Sequence, residues 1–538
     1  MYTYRNIKCS KMTESDIKNT SRLFSNNYGI WSCNSAFNPG CPIKFSTERV
    51  INSFVKKPDR YVAMVFDDKN LIGHAFYMRR TVKKSQKITW ILQLVVDKNY
   101  RGQKIGTKLI HSIFGLSDSY ACGLFTSNPM TIKALENATF RHVDERKIRS
   151  KIDVIRAAAY DIFEDTKWID EYKDGIVDTN FPIDHSKIYD NIQKVYKERE
   201  FPLIKDLPEG CEWLAFTFKS QTPMIDNQEQ LDILNDYSDD IIKKSYSYMN
   251  LKKQAWTKYS EQEVQLVNKT IRNNCRILDL GCGQGRHSVL LAEDGHDVIG
   301  VDFSKNNIEI AKSNSSKNLK FILGDARTYK DSLPFDVVLS LYDVIGSFPN
   351  ENDNAKIVKN AYRNLKKDGI FILSVMNMQL TRNRCEKENN IINSIDENIG
   401  KLLRLKSSNT MQNTGDVFNG KMILIDDSTG ICYRKEQFFS ESSLPEEYIV
   451  RDRRYSRRGI VSLLHREGFS VEEVYCFNAK DINKRLSPDS KQAKEILVIA
   501  KKRICFINCL KECLIKINFG SKEYTLCRDT PKPIMKTL

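Results

Sequence analysis

Two different patterns of apolar residues divide the chain. In its N-terminal part, the β-branched and aromatic content of Tyr61–Phe66 and Leu71–Tyr77 predicts two strands joined by a short turn. Ile88–Val96 is a longer apolar run and predicts a third strand. A glycine-containing loop follows that strand, and helices are predicted over roughly 104–115 and over 128–138. This part of the chain therefore mixes strands with helices.

Beyond Arg276 the pattern changes to strands that alternate with helices. Strands are predicted at Arg276–Leu280, Asp297–Asp302, Phe321–Leu323, Phe335–Leu341 and Gly369–Val375. Helices are predicted over 284–294, 304–313 and 353–366. Such alternation is typical of a parallel sheet with helices on both faces.

The segment between these two parts is less regular. Residues 186–199 and 228–250 have helical patterns, and Glu212–Phe218 predicts a strand. The polar stretch Ser220–Gln230 is a candidate linker because it separates two periodic segments.

The C-terminal tail carries a group of cysteines. Cys505, Cys509 and Cys513 are spaced by four residues, and Cys527 follows. Three thiols on one helical face could bind a metal. Their spacing matches no zinc or iron–sulfur pattern, and the apolar residues between them favour the apolar face of a helix, so no metal site is expected.

Positive charge is concentrated at one end of the chain. Of 538 residues, 84 are Lys or Arg and 68 are Asp or Glu, a net charge of +16. Residues 1–150 hold 25 basic and 11 acidic side chains, whereas residues 151–270 hold 16 and 23. A basic balance favours anionic partners such as nucleic acid or a phosphate-rich cofactor, although lysines on solvated faces would give the same total. At about 100–200 residues per domain, the length predicts about three units.

Composition also bears on the compartment. The 14 cysteines are far fewer than a disulfide scaffold of this length would carry. The polar start, Met1–Lys11, lacks the apolar core of a signal peptide. No run approaches the ~18 apolar residues of a membrane-spanning helix. We therefore expect reduced thiols, a cytoplasmic location and no membrane partner.

The segment ILDLGCGQGR, at Ile277–Arg286, is the strongest motif. A short apolar strand ends in Gly281, Gly283 and Gly285, and a helix follows. Glycine permits a tight turn and lets a ligand touch the main chain, and the helix N-terminus presents free N–H groups to it. A Gly-x-Gly pattern alone also fits nicotinamide-cofactor folds.

Acidic residues at three strand ends narrow the choice of ligand for this motif. Asp279 lies just before the glycines, where it can contact a cationic group of a ligand. Asp302 ends the next strand and places a carboxylate for a pair of ribose hydroxyls. A third strand ends in Gly324-Asp325-Ala326, which offers an acid beside a slot for a base.

Together these segments closely resemble the class I S-adenosylmethionine-dependent methyltransferases over roughly 250–500. The matching stretches are LDLGCGQGRHSVLLAEDGHDVIGVDFS, FILGDAR, FDVVLSLYDVIGSF, AYRNLKKDGIFILSVMN and RRYSRRGIVSLLHREGFSVEEVY. The resemblance implies a Rossmann-like, doubly wound α/β fold and S-adenosylmethionine as cofactor. It also implies the contact residues: Gly281, Gly283 and Gly285 for the methionine and sulfonium part, Asp302 for ribose, and Asp325 and Ala326 for adenine. Asp279 and Phe303 are further expected cofactor contacts. A nucleotide fold that has lost its ligand is the alternative.

The same resemblance leaves the catalytic residues open. A sulfonium is already a strong electrophile, so the protein mainly has to align the groups for in-line transfer, and a general base is optional. His287, Tyr342 and Asp343 lie near the expected cleft by motif position, and His287 and Tyr342 are candidates for a catalytic role. A structural role at the helix start is the simpler interpretation of His287. Residues 380–450 are predicted to be an insertion or a cover for the substrate.

A second motif lies in the basic N-terminal part, at Leu94–Leu109. A long strand runs into an Arg-Gly-x-x-x-Gly loop and then into a helix, whose first N–H groups can cradle a pyrophosphate. Gly102 and Gly106 allow close approach, and Arg101 and Lys104 add positive charge. A plain strand-turn-helix with two glycines is the alternative.

This second segment resembles the GNAT N-acetyltransferase superfamily over about residues 1–150. Its phosphate loop matches at Arg101, Lys104 and Gly106, and TSNPMTIKALENATF matches a later segment through Asn128, Ala134, Glu136 and Phe140. The resemblance implies an α+β fold and acetyl-CoA as cofactor, with the strand from Gln93 to Val96 pairing with the pantetheine arm. The implied contact residues are Leu94, Val96, Arg101, Gly102, Gln103, Lys104, Ile105, Gly106, Thr107 and Asn128.

Two positions depart from that family. Leu135 stands where the family often has a tyrosine that protonates the departing thiolate, and Thr139 replaces a glycine. Acetyl transfer needs an unprotonated amine near the thioester, so a base or a chain of waters is required. Gln93 is the candidate for a catalytic role, while His74 and Asp97 are placed no better, and His74 more readily packs in a strand.

These patterns predict an acetyltransferase-like domain at 1–222, with its motifs within 60–141, a methyltransferase domain at 228–502 and a tail at 503–538. We expect a bifunctional enzyme that transfers acetyl and methyl groups to a small-molecule metabolite. The N-terminal charge keeps open a nucleic-acid-modifying enzyme with tRNA as partner. Leu135 keeps open a methyltransferase with an acetyl-CoA-sensing domain that does not turn over. No pattern indicates an oligomeric state.

Overall fold

The protein is described here by a computed structural model. It covers residues 2–527 except 83–85, 115–119, 160–174, 236–241, 243–244, 247–253, 414, 439–445, 479, 504–513 and 520–521. The predicted apolar helix face at Cys505–Cys513 lies outside the described residues, as does most of the predicted helix over 228–250.

The N-terminal part forms one seven-stranded sheet. Its strands are β1 (Tyr2–Lys8), β2 (Arg60–Asp67), β3 (Asn70–Val82), β4 (Gln86–Val96), β5 (Ala121–Thr126), β6 (Ile176–Asp178) and β7 (Cys211–Phe218). Their order across the sheet is β1-β2-β3-β4-β5-β7-β6, and only the central pair, β4 and β5, is parallel. The predicted hairpin, the long strand and the later strand at 212–218 are all confirmed.

Helices cover both faces of this sheet. They are α1 (Glu14–Asn27), α2 (Thr47–Val50), α3 (Ile105–Phe114), α4 (Pro129–Thr139), α5 (Glu145–Ser150), α6 (Ile152–Ala158), α7 (Ile188–Val195) and α8 (Gln228–Asn235). Leu109 of α3 and Leu135 of α4 enter the main core with Trp90, whereas Phe24 of α1 packs with Val95. A Cβ on Gly106 of α3 would face Leu94, the residue before Val95 on β4. Because side chains alternate along a strand, α1 and α3 lie on opposite faces of β4.

The two parallel strands at the centre separate at one end. They pair from Ile88–Ala121 to Ile91–Leu124, but β4 continues to Val96 in register with β3. Leu92 is an extra residue in that register, which makes a β-bulge. A bulge bends its strand away from its neighbour, so a gap opens between the carboxyl ends of β4 and β5.

The C-terminal part begins with a parallel sheet. Its first strands are β8 (Arg276–Leu280), β9 (Asp297–Asp302), β10 (Leu319–Leu323), β11 (Phe335–Ser340) and β12 (Leu365–Met376), arranged in the order β10-β9-β8-β11-β12. The helices that follow α8 are α9 (Ser260–Thr270), α10 (Arg286–Glu293), α11 (Lys305–Lys312), α12 (Glu351–Asn364), α13 (Met378–Glu386), α14 (Ile399–Arg404) and α15 (Arg457–Arg466). α9, α10 and α11 pack on one face and α12 and α15 on the other, which confirms the predicted doubly wound arrangement.

A small second sheet interrupts this domain. Its strands are β13 (Ile391–Ile392), β14 (Ile423–Asp426), β15 (Ile431–Phe438) and β16 (Glu446–Arg453). It falls within and just beyond the stretch predicted as an insertion, 380–450. Its core includes Leu424 and Tyr433, together with Phe140 from the N-terminal part, so the insertion also touches the first domain.

Three antiparallel strands complete the large sheet. They are β17 (Phe469–Asn478), β18 (Asp481–Leu486) and β19 (Glu495–Lys502), and β19 lies between β12 and β17. The tail adds a hairpin of β20 (Leu514–Phe519) and β21 (Lys522–Cys527). Among the helices described, none is long and apolar enough to cross a bilayer.

Candidate cofactor sites

A cavity of about 340 Å³ lies at the carboxyl ends of β8, β9 and β11. This volume is within the range of small-molecule sites, about 300–1,000 Å³. The sheet contributes lining residues from the predicted set: Asp279, Gly281, Gly283, His287, Asp302, Phe303, Asp325, Ala326 and Tyr342. The inserted sheet and its connections contribute Thr410, Met411, Val417 and Arg434. The predicted role of the insertion as a cover is consistent with this arrangement.

The glycine turn is built from left-handed backbone. Gly281, Gly283 and Gly285 have φ values of 76°, 57° and 82°, which other residues adopt only with strain. A Cβ on Gly281 would clash with Val344, and one on Gly285 would clash with the ring of Phe321. Gly285 is packed against that ring before α10 begins and is not among the residues that line the cavity, so its contact with a cofactor stays a prediction.

Asp302 is held at the lip of the cavity by main-chain donors. Its Oδ2 accepts from Gly283 N at 2.9 Å and its Oδ1 accepts from Ser304 N at 2.8 Å. Burial raises the pKa of Asp302 to about 6, although these two hydrogen bonds act in the opposite direction. The carboxylate keeps lone pairs for a further donor because each oxygen can accept more than once.

The other two acidic residues are partly committed to neighbours. Asp279 is buried, accepts from Ser288 Oγ at 2.6 Å, and has its pKa raised by burial. Asp325 pairs with Arg327, whose Nη2 lies 2.7 Å from Asp325 Oδ2. Both carboxylates therefore border the cavity from fixed positions.

The catalytic candidates of this half form a packed group. His287 Nε2 lies 2.6 Å from Glu263 Oε2, and Arg286 Nη1 lies 2.5 Å from the same oxygen. The rings of His287 and Tyr342 stack at 6.2 Å, with Arg286 over the Tyr342 ring at 4.5 Å. Burial and the neighbouring Arg286 lower the pKa of His287. This supports the structural interpretation of His287, whose ring is tied to a buried carboxylate.

Asp343 is a buried carboxyl group in the cavity wall. It is 7% exposed, and its Oδ1 is buried without a hydrogen-bond partner in the described structure. Tyr342 and Asp343 have φ values of 60° and 57°, two consecutive left-handed residues that are not glycine. Strained backbone of this kind concentrates at functional sites. Sequence position placed Asp343 near the cleft, but nothing in the sequence indicated its buried surroundings.

The acyl-donor motif has a loop of the predicted kind. Gly102 and Lys104 have φ values of 78° and 62°, and α3 begins directly afterwards at Ile105. The first N–H groups of α3 therefore point out of the loop, beside Gly106 and Thr107. Leu94 and Val96 lie half-buried on β4 at the gap, each 3.9 Å from the position of a Cβ on Gly106.

The basic side chains of this loop contact neighbouring protein groups, and their predicted role toward a phosphate stays a prediction. Arg101 donates to the carbonyl oxygens of Val96 and Asn27, so it anchors the loop to α1. Lys104 Nζ lies 2.8 Å from Asp232 Oδ2 on α8, and both side chains are largely exposed. An exposed pair of this kind contributes little stability, so a phosphate can replace Asp232 as the partner of Lys104. Gln103 is exposed and accepts from Tyr2.

The remaining predicted residues have structural partners. Gln93 Oε1 lies 2.9 Å from His74 Nε2, and burial lowers the pKa of His74 to about 4. Asn128 caps α4 by accepting from Met130 N at 3.0 Å. Leu135 is fully buried in the core, and Glu136 accepts from Val143 N at 2.9 Å and pairs with Arg199.

Sequence reasoning missed Glu212 and Tyr28 at the open end of this sheet. Glu212 is half-buried at the start of β7, with Thr179 as its hydrogen-bond partner. Burial raises the pKa of Glu212 to about 7. Burial, and to a smaller extent the charge of Glu212, raise the pKa of Tyr28. No sequence motif links them because one ends α1 and the other begins the seventh strand.

Comparisons with known proteins show that the C-terminal half is similar to methyltransferases. Residues 271–426 match the family model "Methyltransferase domain". Curated relatives include a ubiquinone biosynthesis O-methyltransferase of Pelagibacter ubique, 34% identical over 20% of this chain and 44% of the relative, and a putative methyltransferase of Bacillus subtilis, 35% identical over 22% and 47%. The chain thus spans about half the length of these relatives. A glycine/sarcosine N-methyltransferase of Aphanothece halophytica is 27% identical over 45% of this chain and 82% of its own.

Solved structures of methyltransferases also align with part of this chain. The CcbJ methyltransferase of Streptomyces caelestis is 14% identical, with a TM-score of 0.34, over 46% of this chain and 90% of that chain.

The N-terminal part matches a second family model. Residues 30–128 match the model "Acetyltransferase (GNAT) family". The chain therefore joins a domain of the acetyltransferase (GNAT) family to a methyltransferase domain.

Proposed function

We propose that this protein is a bifunctional transferase that uses S-adenosylmethionine and acetyl-CoA to modify a small molecule. The observation that carries the proposal is the presence of two separate, intact cofactor loops in one chain. Each is a strand followed by a loop with left-handed residues that leads into a helix N-terminus: Gly281, Gly283 and Gly285 in one loop, and Gly102 and Lys104 in the other. A fusion of two transferases keeps both sites at a high effective concentration for a shared acceptor or a shared pathway.

The residues at the methyl-donor site fit S-adenosylmethionine. Gly281 and Gly283 leave room beside the main chain, Asp302 offers carboxylate oxygens to two hydroxyls, and Phe303 and Ala326 offer apolar surface to a base. Asp279 supplies the negative charge that a cationic donor requires. The bound donor would supply an electrophilic methyl group, and these residues would orient it and exclude water from the cavity.

The residues at the acetyl-donor site fit acetyl-CoA. The gap between β4 and β5 leaves the main chain of Leu94 and Val96 without a partner strand on that side, so an amide-bearing arm can pair there. The loop from Gly102 to Thr107 presents N–H groups for a pyrophosphate. The bound donor would supply a thioester, and the strand edge would hold its carbonyl beside the acceptor.

The test is a pair of labelling reactions with the full chain. The protein is incubated with a pool of metabolites and either methyl-labelled S-adenosylmethionine or acetyl-labelled acetyl-CoA, and products are read by mass spectrometry. We expect label from both donors in small molecules. Label from neither donor, with both cofactors bound by calorimetry, would contradict the proposal. Methyl label without acetyl label would favour a sensing role for the first domain, and label in tRNA would favour the nucleic-acid alternative.

A further inference from the structure

The wall of the methyl-transfer cavity contains a buried charge cluster with an excess of acid. We define the cluster as Asp343, Glu436, Asp452, Arg434 and Arg454. Each of these residues is less than a tenth exposed. Asp343 and Arg434 line the cavity directly.

Both guanidinium groups of the cluster already have carboxylate partners. Arg434 Nη1 lies 2.7 Å from Asp452 Oδ1 and its Nε lies 3.5 Å from Glu436 Oε2. Arg454 Nε lies 2.6 Å from Asp452 Oδ2. Three carboxyl groups thus face two guanidinium groups, and Asp343 is the one without a direct ion pair among the described residues.

A buried carboxylate without a partner is expensive, so its retention calls for a ligand. Burial and the charge of Asp452 raise the pKa of Asp343 well above its usual range, although Arg454 and Arg434 oppose this. Glu495 also faces Asp343, and burial raises the pKa of Glu495 to about 8, so it adds little charge at neutral pH. Asp343 therefore favours its neutral form without a ligand, and a cationic ligand is the component that would favour its carboxylate form.

We propose that the methyl acceptor is an amine whose ammonium form pairs with Asp343, which then removes a proton from it. This rests on the proposed methyl transfer. The N–H proton passes to the carboxylate, and the freed nitrogen lone pair forms the C–N bond. The C–S bond of the donor breaks with its electrons left on sulfur. The products that balance the step are the methylated ammonium, S-adenosylhomocysteine and one proton, which Asp343 releases to solvent.

Asp343→Asn separates this role from a structural one. The exchange removes the carboxyl group that can ionise and keeps a side chain that tolerates the left-handed backbone. We expect a higher melting temperature, unchanged binding of S-adenosylhomocysteine and a fall of at least 100-fold in kcat for methyl transfer. A structural role would instead lower the melting temperature. Asp368→Asn is the matched control, since Asp368 has a φ of 60° but is exposed.

Charge recognition can be read without turnover. With S-adenosylhomocysteine bound, the full chain is titrated with benzylamine and benzyl alcohol, and with ethanolamine and ethylene glycol, and the melting temperature is recorded. We expect the amines alone to raise it, and Asp343→Asn to abolish the difference. Amines that act no better than the alcohols would overturn the inference. Failure to bind S-adenosylhomocysteine would instead contradict the proposed function.

A separate observation concerns the acetyl-transfer half. The carboxyl ends of β4 and β5 meet the start of β7 at the gap in the sheet. Val95 packs with Tyr28 and Phe181 on the α1 face, and Phe181 N donates to Gly210 O just before β7. Trp213 next to Glu212 packs on the opposite face, against Phe201. Glu212 therefore lies on the same face of the sheet as Tyr28 and Gln93, at the open end where the thioester of the proposed donor would lie.

We infer that Glu212 is the base that takes the proton from the amine acceptor in acetyl transfer, which rests on the proposed acetyltransferase activity. The ammonium proton passes to the carboxylate, and the amine forms the C–N bond at the thioester carbonyl. The C–S bond breaks, and the second amine proton goes to the departing thiolate. Glu212 then returns its proton to solvent. Gln93 was the candidate for a catalytic role, but its amide cannot act as a base. Glu212 can fill that role.

Glu212→Gln is expected to lower kcat for acetyl transfer at least 100-fold and leave coenzyme A affinity within twofold. The exposed Glu209→Gln is the matched control.

A second readout is the pH dependence of stability. The pKa of Glu212 is raised from its ordinary 4.5 to about 7. The contribution of Glu212 to stability is therefore full below pH 4.5 and is lost as pH rises to about 7. The difference in stability between wild type and Glu212→Gln should change across that window. An unchanged kcat and a flat difference would overturn the inference.

Discussion

Replacing Asp302 by alanine is expected to weaken binding of S-adenosylmethionine about 100-fold and to abolish methyl transfer at ordinary donor concentrations. In the proposed complex the carboxylate accepts from two ribose hydroxyls, and hydrogen bonds to a charged group contribute about 1.5–3 kcal/mol each. A loss of about 2.7 kcal/mol, just below the lower end of that range for two bonds, corresponds to the factor of 100. Calorimetry with S-adenosylhomocysteine measures the effect without turnover.

The same carboxylate predicts how affinity depends on pH. Because the pKa of Asp302 is raised to about 6, its acceptor capacity is full above that pH and declines below it. Wild-type affinity should therefore fall as pH drops below about 6, while Asp302→Ala stays flat. Asp297→Ala, at the exposed opposite end of β9, is the control and should behave as wild type. Equal affinity in Asp302→Ala and wild type would remove Asp302 from the site.

Replacing Gly106 by tryptophan is expected to abolish coenzyme A binding and acetyl transfer. A Cβ at this position lies 3.9 Å from both Leu94 and Val96, so a large side chain would fill the gap where β4 leaves β5. The backbone of Gly106 is not left-handed, so the exchange causes no strain in α3. We expect at least a 100-fold loss of affinity for coenzyme A by calorimetry.

Two comparisons make the Gly106 result specific. Gly106→Ala should keep coenzyme A affinity, because a methyl group at 3.9 Å is an ordinary contact. Methyl transfer should be untouched in Gly106→Trp, just as acetyl transfer should be untouched in Asp302→Ala. Coenzyme A binding that survives the tryptophan would place the acyl donor somewhere other than the gap.

The two inferences about acceptors converge on one kind of substrate. Asp343 in one domain and Glu212 in the other are half-buried or buried carboxyl groups whose pKa is raised by burial. Each is suited to take a proton from an ammonium group near neutral pH. An amine is therefore the common acceptor that both domains favour, and the paired labelling would reveal whether one molecule receives both groups.

Both cofactor loops could be predicted from sequence because their signals are local. The glycines at 281, 283 and 285 follow a short apolar strand, and Gly102 and Gly106 follow a longer one. In each case about ten adjacent residues predict the strand, the turn and the start of the helix. The predicted strands of both sheets agree with the structure for the same reason. The resemblance to two families also rests on these contiguous segments.

The sites beyond the loops depend on contacts between distant parts of the chain. Arg101 was expected to serve a phosphate, but it binds main-chain carbonyls at the end of α1. Lys104 meets Asp232, a helix residue from beyond the linker. The charge cluster around Asp343 draws on β15 and β16 of the insertion, and the charge of Glu212 acts on Tyr28 across the open end of the first sheet.

By itself, the sequence determined the two cofactor loops, the strands that carry them and the class of each domain, because hydrophobic periodicity and glycine conformations act over short distances. Only the tertiary structure decided which carboxyl groups are buried and which have partners. Burial and Coulomb interactions depend on all the elements packed around a group, and these elements come from widely separated segments. The raised pKa values of Asp343 and Glu212, and with them the proposed amine acceptor, follow from that packing alone.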